Sequence, residues 1–184
     1  MHLLKQIFTA LACAVAYYIV FEFNKFIFNE YVFSFGVNWV FIPSGLQLVL
    51  VLTAVESAAV GIVLASWVIG YTDYFLGSLI FTFITGVITG VSPLISRMIS
   101  FDFLHIEEDL QNLTFKGIAQ MSVIFALLSA TLHQLWFFYN AVSDNFLHST
   151  VVMAIGNLLG TIVVLSLIKV TSETFKRNAS TFDQ

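Results

Sequence analysis

The residues able to do chemistry in this chain are few, and most are carboxylates or amides set in apolar surroundings. Glu56 lies between the longest apolar runs, in LQLVLVLTAVESAAVGIVLASWVIG. Inside a membrane, an ionisable residue is read as functional by default, paired with a histidine, an arginine or a ligand cation, because isolation in hydrocarbon costs roughly 3 kcal/mol or more. His133 and Arg97 are the partners on offer. At a turn, the same carboxylate would only keep that turn in water. Gln47 and Asn157 are amides within apolar segments, suited to hydrogen bonds across a helix interface or to a ligand. Ser44 adds a hydroxyl beside Pro43. A bound small molecule would therefore meet Ser44, Gln47, Glu56 and Asn157.

Other groupings carry less. His105, Glu107, Glu108 and Asp109 superficially suggest a metal site, but there is no HExxH motif, and on a helix only Glu108 and Asp109 could share a face with His105. A solvated acidic face is expected there, with no metal and no cofactor. His133 stands one helical turn before Trp136 and Phe137, which places it in an interfacial aromatic belt and not at a catalytic centre. The chain has no nucleophile elbow, glycine-rich phosphate loop or CxxC pair. Nothing supports an enzyme. A formal net charge of -4 without a basic stripe also argues against a nucleic-acid partner.

What must position these groups follows from composition. Of 184 residues, 59% are hydrophobic and only 10% are charged, whereas about a quarter are charged in soluble domains. The expected fold is an all-α, polytopic integral membrane bundle. A span needs about 20 residues at 1.5 Å rise, which gives helix one as Leu3–Phe23. That run could pass for a signal peptide, but it is long enough to span and ends in bulky residues and Glu22. Its lone Cys13 reads as a small buried hydrophobe. Asn24–Gly36 is expected as an interfacial segment or plain loop.

Pro43-Ser44-Gly45 marks a helix start near Pro43, since proline lacks only a donor that would be orphaned there and a serine hydroxyl can cap free N–H groups. Val37–Val55 and Ser57–Tyr71 are read as a tight hairpin turning at Glu56. A single long tilted helix is the alternative, and it would bury the carboxylate. Helix four is expected over Phe75–Ile95, with Gly77, Gly86, Gly90 and Pro93, and Arg97–Thr114 as a surface helix or structured loop. Helix five spans Phe115–Tyr139 and helix six Thr150–Val170.

Residues 1–170 thus form the transmembrane domain, and 171–184 a short cytoplasmic tail. Gly61, Ala65, Gly86, Gly90, Gly156 and Gly160 are the expected helix-packing positions, because small residues let backbones approach in lipid. With six spans and both termini in the cytoplasm, Lys5, Arg97, Lys116, Lys169, Lys176 and Arg177 lie inside and only Lys25 outside, as the positive-inside rule asks. Five spans with an outside N-terminus would leave only Lys5 outside. Charge alone does not choose.

The run FIPSGLQLVLVLTAVESAAVGIVLASWVIG resembles the first class of bacterial membrane-associated sensor (MASE) domains, in which a Pro-x-Gly start precedes a leucine-rich helix and then a glycine and small-residue helix. FDFLHIEEDLQNLTFKGIAQMSVIFALLSA looks like that family's amphipathic lead-in to a long helix, and MAIGNLLGTIVVLSLIKV like its last helix. The family often has an acidic residue before the Leu-Gly pair. Here that residue is Asn157. The resemblance implies a non-enzymatic sensing or partner-binding module of the bacterial cytoplasmic (inner) membrane, in contact with lipid, another membrane protein and a possible small-molecule ligand. The alternatives are an accessory subunit that stabilises a larger membrane complex, or a substrate-binding component of a small-molecule transporter.

Overall fold

The computed structural model describes residues 2–73 and 78–182. Five helices make up most of it: α1 (His2–Phe28), α2 (Ile42–Asp73), α3 (Leu79–Leu104), α4 (Phe115–Tyr139) and α5 (Phe146–Phe182). Each contains a segment long and apolar enough to cross a membrane. The chain is therefore an all-α helical bundle of the membrane type. A short antiparallel hairpin of β1 (Val32–Ser34) and β2 (Val37–Asn38) joins α1 to α2. Gly36 makes its turn possible, with a φ of +67° that a residue bearing Cβ rarely adopts.

Helix α2 is not straight. At Val55 the backbone leaves the helical region, with φ 39° and ψ -112°. At one end of α2 the Ile42 N–H donates to Asn24 Oδ1 at 2.9 Å, and at the other Asp73 pairs with Lys25 Nζ at 2.6 Å. Asn24 and Lys25 are consecutive. A straight helix would hold Ile42 and Asp73 about 46 Å apart, from 31 steps of 1.5 Å. The element therefore folds back on itself at Val55, and its two limbs lie side by side along α1. Gly61, early in the second limb, rests against Ala10, Cys13 and Ala14, so that limb climbs α1 from there to Lys25.

Packing follows from this fold-back. Val51, Ala58, Ile62, Ala65 and Ile69 of α2 form one buried cluster with Cys13, Tyr17 and Phe21 of α1. Leu48, Phe101, Met121 and Phe125 join the first limb of α2 to α3 and α4. Val37 of β2 packs with Ala130 and Val152–Ala154 beneath the hairpin. Gly160 lets α5 approach the Phe41 carbonyl so closely that a Cβ would overlap it. Gly156 lies against Asn38, Gly86 against Trp67, and Gly90 against Ala59 and Val63.

Several boundaries differ from the sequence expectation, each for a local reason. Helix one does not stop at Phe23: Asn24 and Lys25 stay helical because residues at the ends of α2 take up their polar groups. Val37 and Asn38, expected to open helix two, belong to a strand, and the helix starts at Ile42. The Ser44 hydroxyl does not cap it; Asn24 does, from another helix. Helix four does not end at Ile95. It runs through Pro93 and Arg97 to Leu104, so only residues 105–114 form the connecting loop. Its expected start at Phe75, with Gly77, lies outside the described residues. Helix six begins earlier, at Phe146, and continues past Val170 through the expected tail to Phe182.

The bend makes a sign-specific prediction. In a straight helix, Val55→Gly would lower stability by about 0.5 kcal/mol, whereas at a positive φ it relieves strain of about 1 kcal/mol. A raised melting temperature in detergent is the expected outcome.

Candidate functional site

A cavity of about 110 Å³ lies among all five helices, with Phe35, Gly36 and Asn38 of the β-hairpin segment on one side. The fold-back of α2 builds it. Gln47 comes from the descending limb and Ser66, Ile69 and Gly70 from the returning one, so one element supplies both sides of a wall. From α3 come Thr82, Thr85 and Thr89, spaced three and four residues apart on one helical face. From α4 come Ser129, His133 and Phe137, again one face, and from α5 Met153 and Asn157.

Proline sets the polar pattern. Pro93 has no N–H, so the Thr89 carbonyl, four residues earlier, loses its intrahelical donor. Gln47 replaces that donor: its Nε2 reaches Thr89 O at 3.3 Å and Tyr17 Oη at 3.2 Å. Across lipid-embedded helices such a substitution is required, because no water is there to serve the carbonyl. With Nε2 so engaged, Oε1 is the acceptor that this lining amide retains.

His133 is fixed by the same logic. Its Nδ1 lies 2.8 Å from the Ser129 carbonyl, which can only accept, so Nδ1 carries a proton. In the neutral ring, Nε2 is then an acceptor, 3.1 Å from Thr89 Oγ1. That hydroxyl also lies 2.8 Å from the Thr85 carbonyl. It has one proton for two acceptors, so His133 Nε2 is free whenever Thr89 turns to Thr85. Trp136 Nε1 donates to Thr85 Oγ1 at 3.1 Å.

Three further groups on the cavity wall are shielded and unsatisfied: Asn157 Nδ2, Thr82 Oγ1 and Ser66 Oγ have no hydrogen-bond partner among the described residues. Buried polar atoms are nearly always paired, and leaving one unpaired costs about 1–3 kcal/mol. Aromatic rings make up much of the apolar lining beside Ile69 and Met153, with Phe81 stacked on Phe137 at 5.8 Å and Phe35 edge-on to Phe137 at 5.9 Å. Among the described residues, no Asp, Glu, Lys or Arg lines the cavity.

Of the four residues singled out in the sequence, two meet here. Gln47 and Asn157 line the cavity. Ser44 sits behind it, its Oγ 2.7 Å from the carbonyls of both Phe41 and Asn157, where it steadies α5 against the start of α2. Glu56 is exposed at the bend, about 15 Å of helix rise below Ser66. It pairs with neither proposed partner: Arg97 bonds Glu108 and lies 4.0 Å over the Phe101 ring.

His133, expected in an interfacial aromatic belt, is 6% exposed and lines the cavity. The threonines of α3 and Tyr17 were not anticipated, although Thr82, Thr85 and Thr89 in the sequence already mark a polar stripe. Around the loop after α3, Glu107, Glu108 and Asp109 are exposed. Among the described residues, no three His, Cys, Asp or Glu side chains gather as a metal site would require. Comparisons with protein-family models, curated proteins and solved structures find no match to the chain.

Gln47→Leu should lower stability by about 1–3 kcal/mol, because the Thr89 carbonyl is orphaned. Adding Pro93→Ala should restore part of that loss, since alanine brings back the missing N–H. Thermal unfolding of the single and double variants in one detergent checks both signs.

Proposed function

We propose that this chain is a non-enzymatic, ligand-binding module of the bacterial cytoplasmic membrane, of the sensing type that its resemblance to membrane-associated sensor domains implies. One observation carries the reading: unpaired, shielded polar atoms from α2, α3 and α5 belong to residues that line one cavity, whose apolar wall is mostly aromatic. A bundle that served only as a structural subunit would gain nothing from leaving them unpaired. Counting the limbs of α2 separately gives six passes, with both tails on the cytoplasmic face. Lys25 then lies with the β-hairpin outside, and Lys5, Arg97, Lys116 and Lys169 lie inside, which supports that orientation.

In this reading the ligand is held toward the outer side of the bundle, and α5 is the output. Asn157 lines the cavity, and the same continuous helix runs on to Phe182. A ligand that draws Asn157 inward would bias the position of the whole rod. A second reading, substrate capture for a membrane transporter, uses the same cavity. It is favoured by α1, whose Leu3, Leu4, Phe8, Val15 and Ile19 are exposed and offer a long flank to another membrane protein or to lipid.

Native mass spectrometry of the protein released from a mild detergent should reveal a bound small molecule in stoichiometric amount. Ser66→Phe, which fills the cavity, should abolish it while leaving the protein monodisperse. A ligand-free wild-type spectrum from cells and from growth medium-supplemented preparations alike would contradict the proposal.

A further inference from the structure

The chemistry of the cavity narrows what can occupy it, given that the ligand-binding reading holds. Among the described residues, no Asp, Glu, Lys or Arg lines it, and the lining imidazole of His133 keeps its Nδ1 proton on the Ser129 carbonyl. A charged ligand would lose its hydration on entry and find no counter-ion, a cost that dipoles of neutral side chains offset only in part. The occupant is therefore neutral. Phe21, Phe35, Phe41, Phe81 and Phe137 contribute rings to the walls, and rings favour a flat aromatic guest, stacked or edge-on.

Hydrogen bonding then fixes the edge of that guest. Asn157 is 2% exposed, and its Nδ2 offers two N–H groups with no partner among the described residues. These donors call for an acceptor on the ligand. Gln47 is 3% exposed, and its Nε2 is already committed to Tyr17 and Thr89, which leaves Oε1 to accept from a ligand N–H. The hydroxyls of Thr82 and Ser66 can serve either role. A donor beside an acceptor on a flat ring is the edge of a cyclic amide. Size sets the upper limit: about 110 Å³ is somewhat less than the roughly 150 Å³ cavity that takes benzene, so the recognised part is a single six-membered ring.

We propose that the cavity binds a neutral, six-membered nitrogen heterocycle with a cyclic amide edge, its carbonyl facing Asn157 Nδ2 and its ring N–H facing Gln47 Oε1. The two amides read opposite halves of one edge, and the phenylalanines hold the ring plane.

Ligand-observed NMR on the purified protein in nanodiscs tests this with four probes of similar size: uracil, toluene, benzoate and benzylammonium. Uracil should bind at least tenfold more tightly than toluene, and the two ions should not bind. Gln47→Leu should weaken uracil at least tenfold while sparing toluene, which also shows that the variant is folded. Asn157→Asp, which exchanges the donor for a carboxylate, should weaken uracil and admit benzylammonium. Unchanged uracil affinity in both variants would overturn the assignment. Wild-type binding of benzoate or benzylammonium, lost in Ser66→Phe, would overturn the neutral class but keep the ligand-binding reading. Failure of all four probes to bind would overturn the cyclic-amide assignment, and a ligand-free native mass spectrum beside it would overturn the ligand-binding reading as well.

Discussion

Two consecutive residues of α1 hold opposite ends of a 32-residue element, and distance leaves that element no option but to fold back. Asn24 caps the first turn of α2, and Lys25, also paired with Glu22, grips its last residue. From that restraint come the bend at Val55, the antiparallel limbs and the alignment of Gln47 with Ser66 and Gly70 around one space. A straight α2 would carry Gln47 far from Ser66. Without the fold-back there would be no cavity for α3, α4 and α5 to close.

The second constraint is that lipid-embedded backbone must be satisfied by protein. Pro93 breaks that rule in α3 and Gln47 repairs it, so a defect in one helix is converted into a directed side chain in another. Ser44, bonded between the carbonyls of Phe41 and Asn157, and the Thr89–His133 contact extend the same logic across helix interfaces. These groups are paired with one another. Asn157 Nδ2, Thr82 Oγ1 and Ser66 Oγ are not, and all three belong to residues of the cavity wall.

Much of the architecture was legible in the sequence because hydrophobic runs and their breaks are local signals. Phe115–Tyr139 is a helix over the expected bounds, and Thr114 caps it as its type suggests. The hairpin near Glu56 followed from the cost of burying a carboxylate, and the exposed Glu56 at the bend agrees with that reasoning. What sequence reasoning missed depends on partners distant along the chain. Asn24 and Lys25 looked like the end of a helix because their donor and acceptor lie at Ile42 and Asp73. Pro93 stood near the expected helix end at Ile95, because Gln47, the residue that makes it tolerable inside α3, is 46 positions earlier. His133 looked interfacial because aromatic neighbours follow it, whereas its surroundings are set by α3. Gln47 and Asn157 were identifiable as amides in apolar runs; that they face a common space is a property of the fold-back.

Electron–electron double resonance between nitroxide labels at Trp39 and Tyr71, both exposed and flanking the two ends of α2, in a Cys13-free background, measures the fold-back itself. Side-chain reach on either side of Asn24 and Lys25 limits the separation to roughly 20–25 Å. A single distribution in that range is the predicted result. A distribution centred beyond about 40 Å, as a continuous helix of this length would give, would contradict the fold-back and the cavity that depends on it.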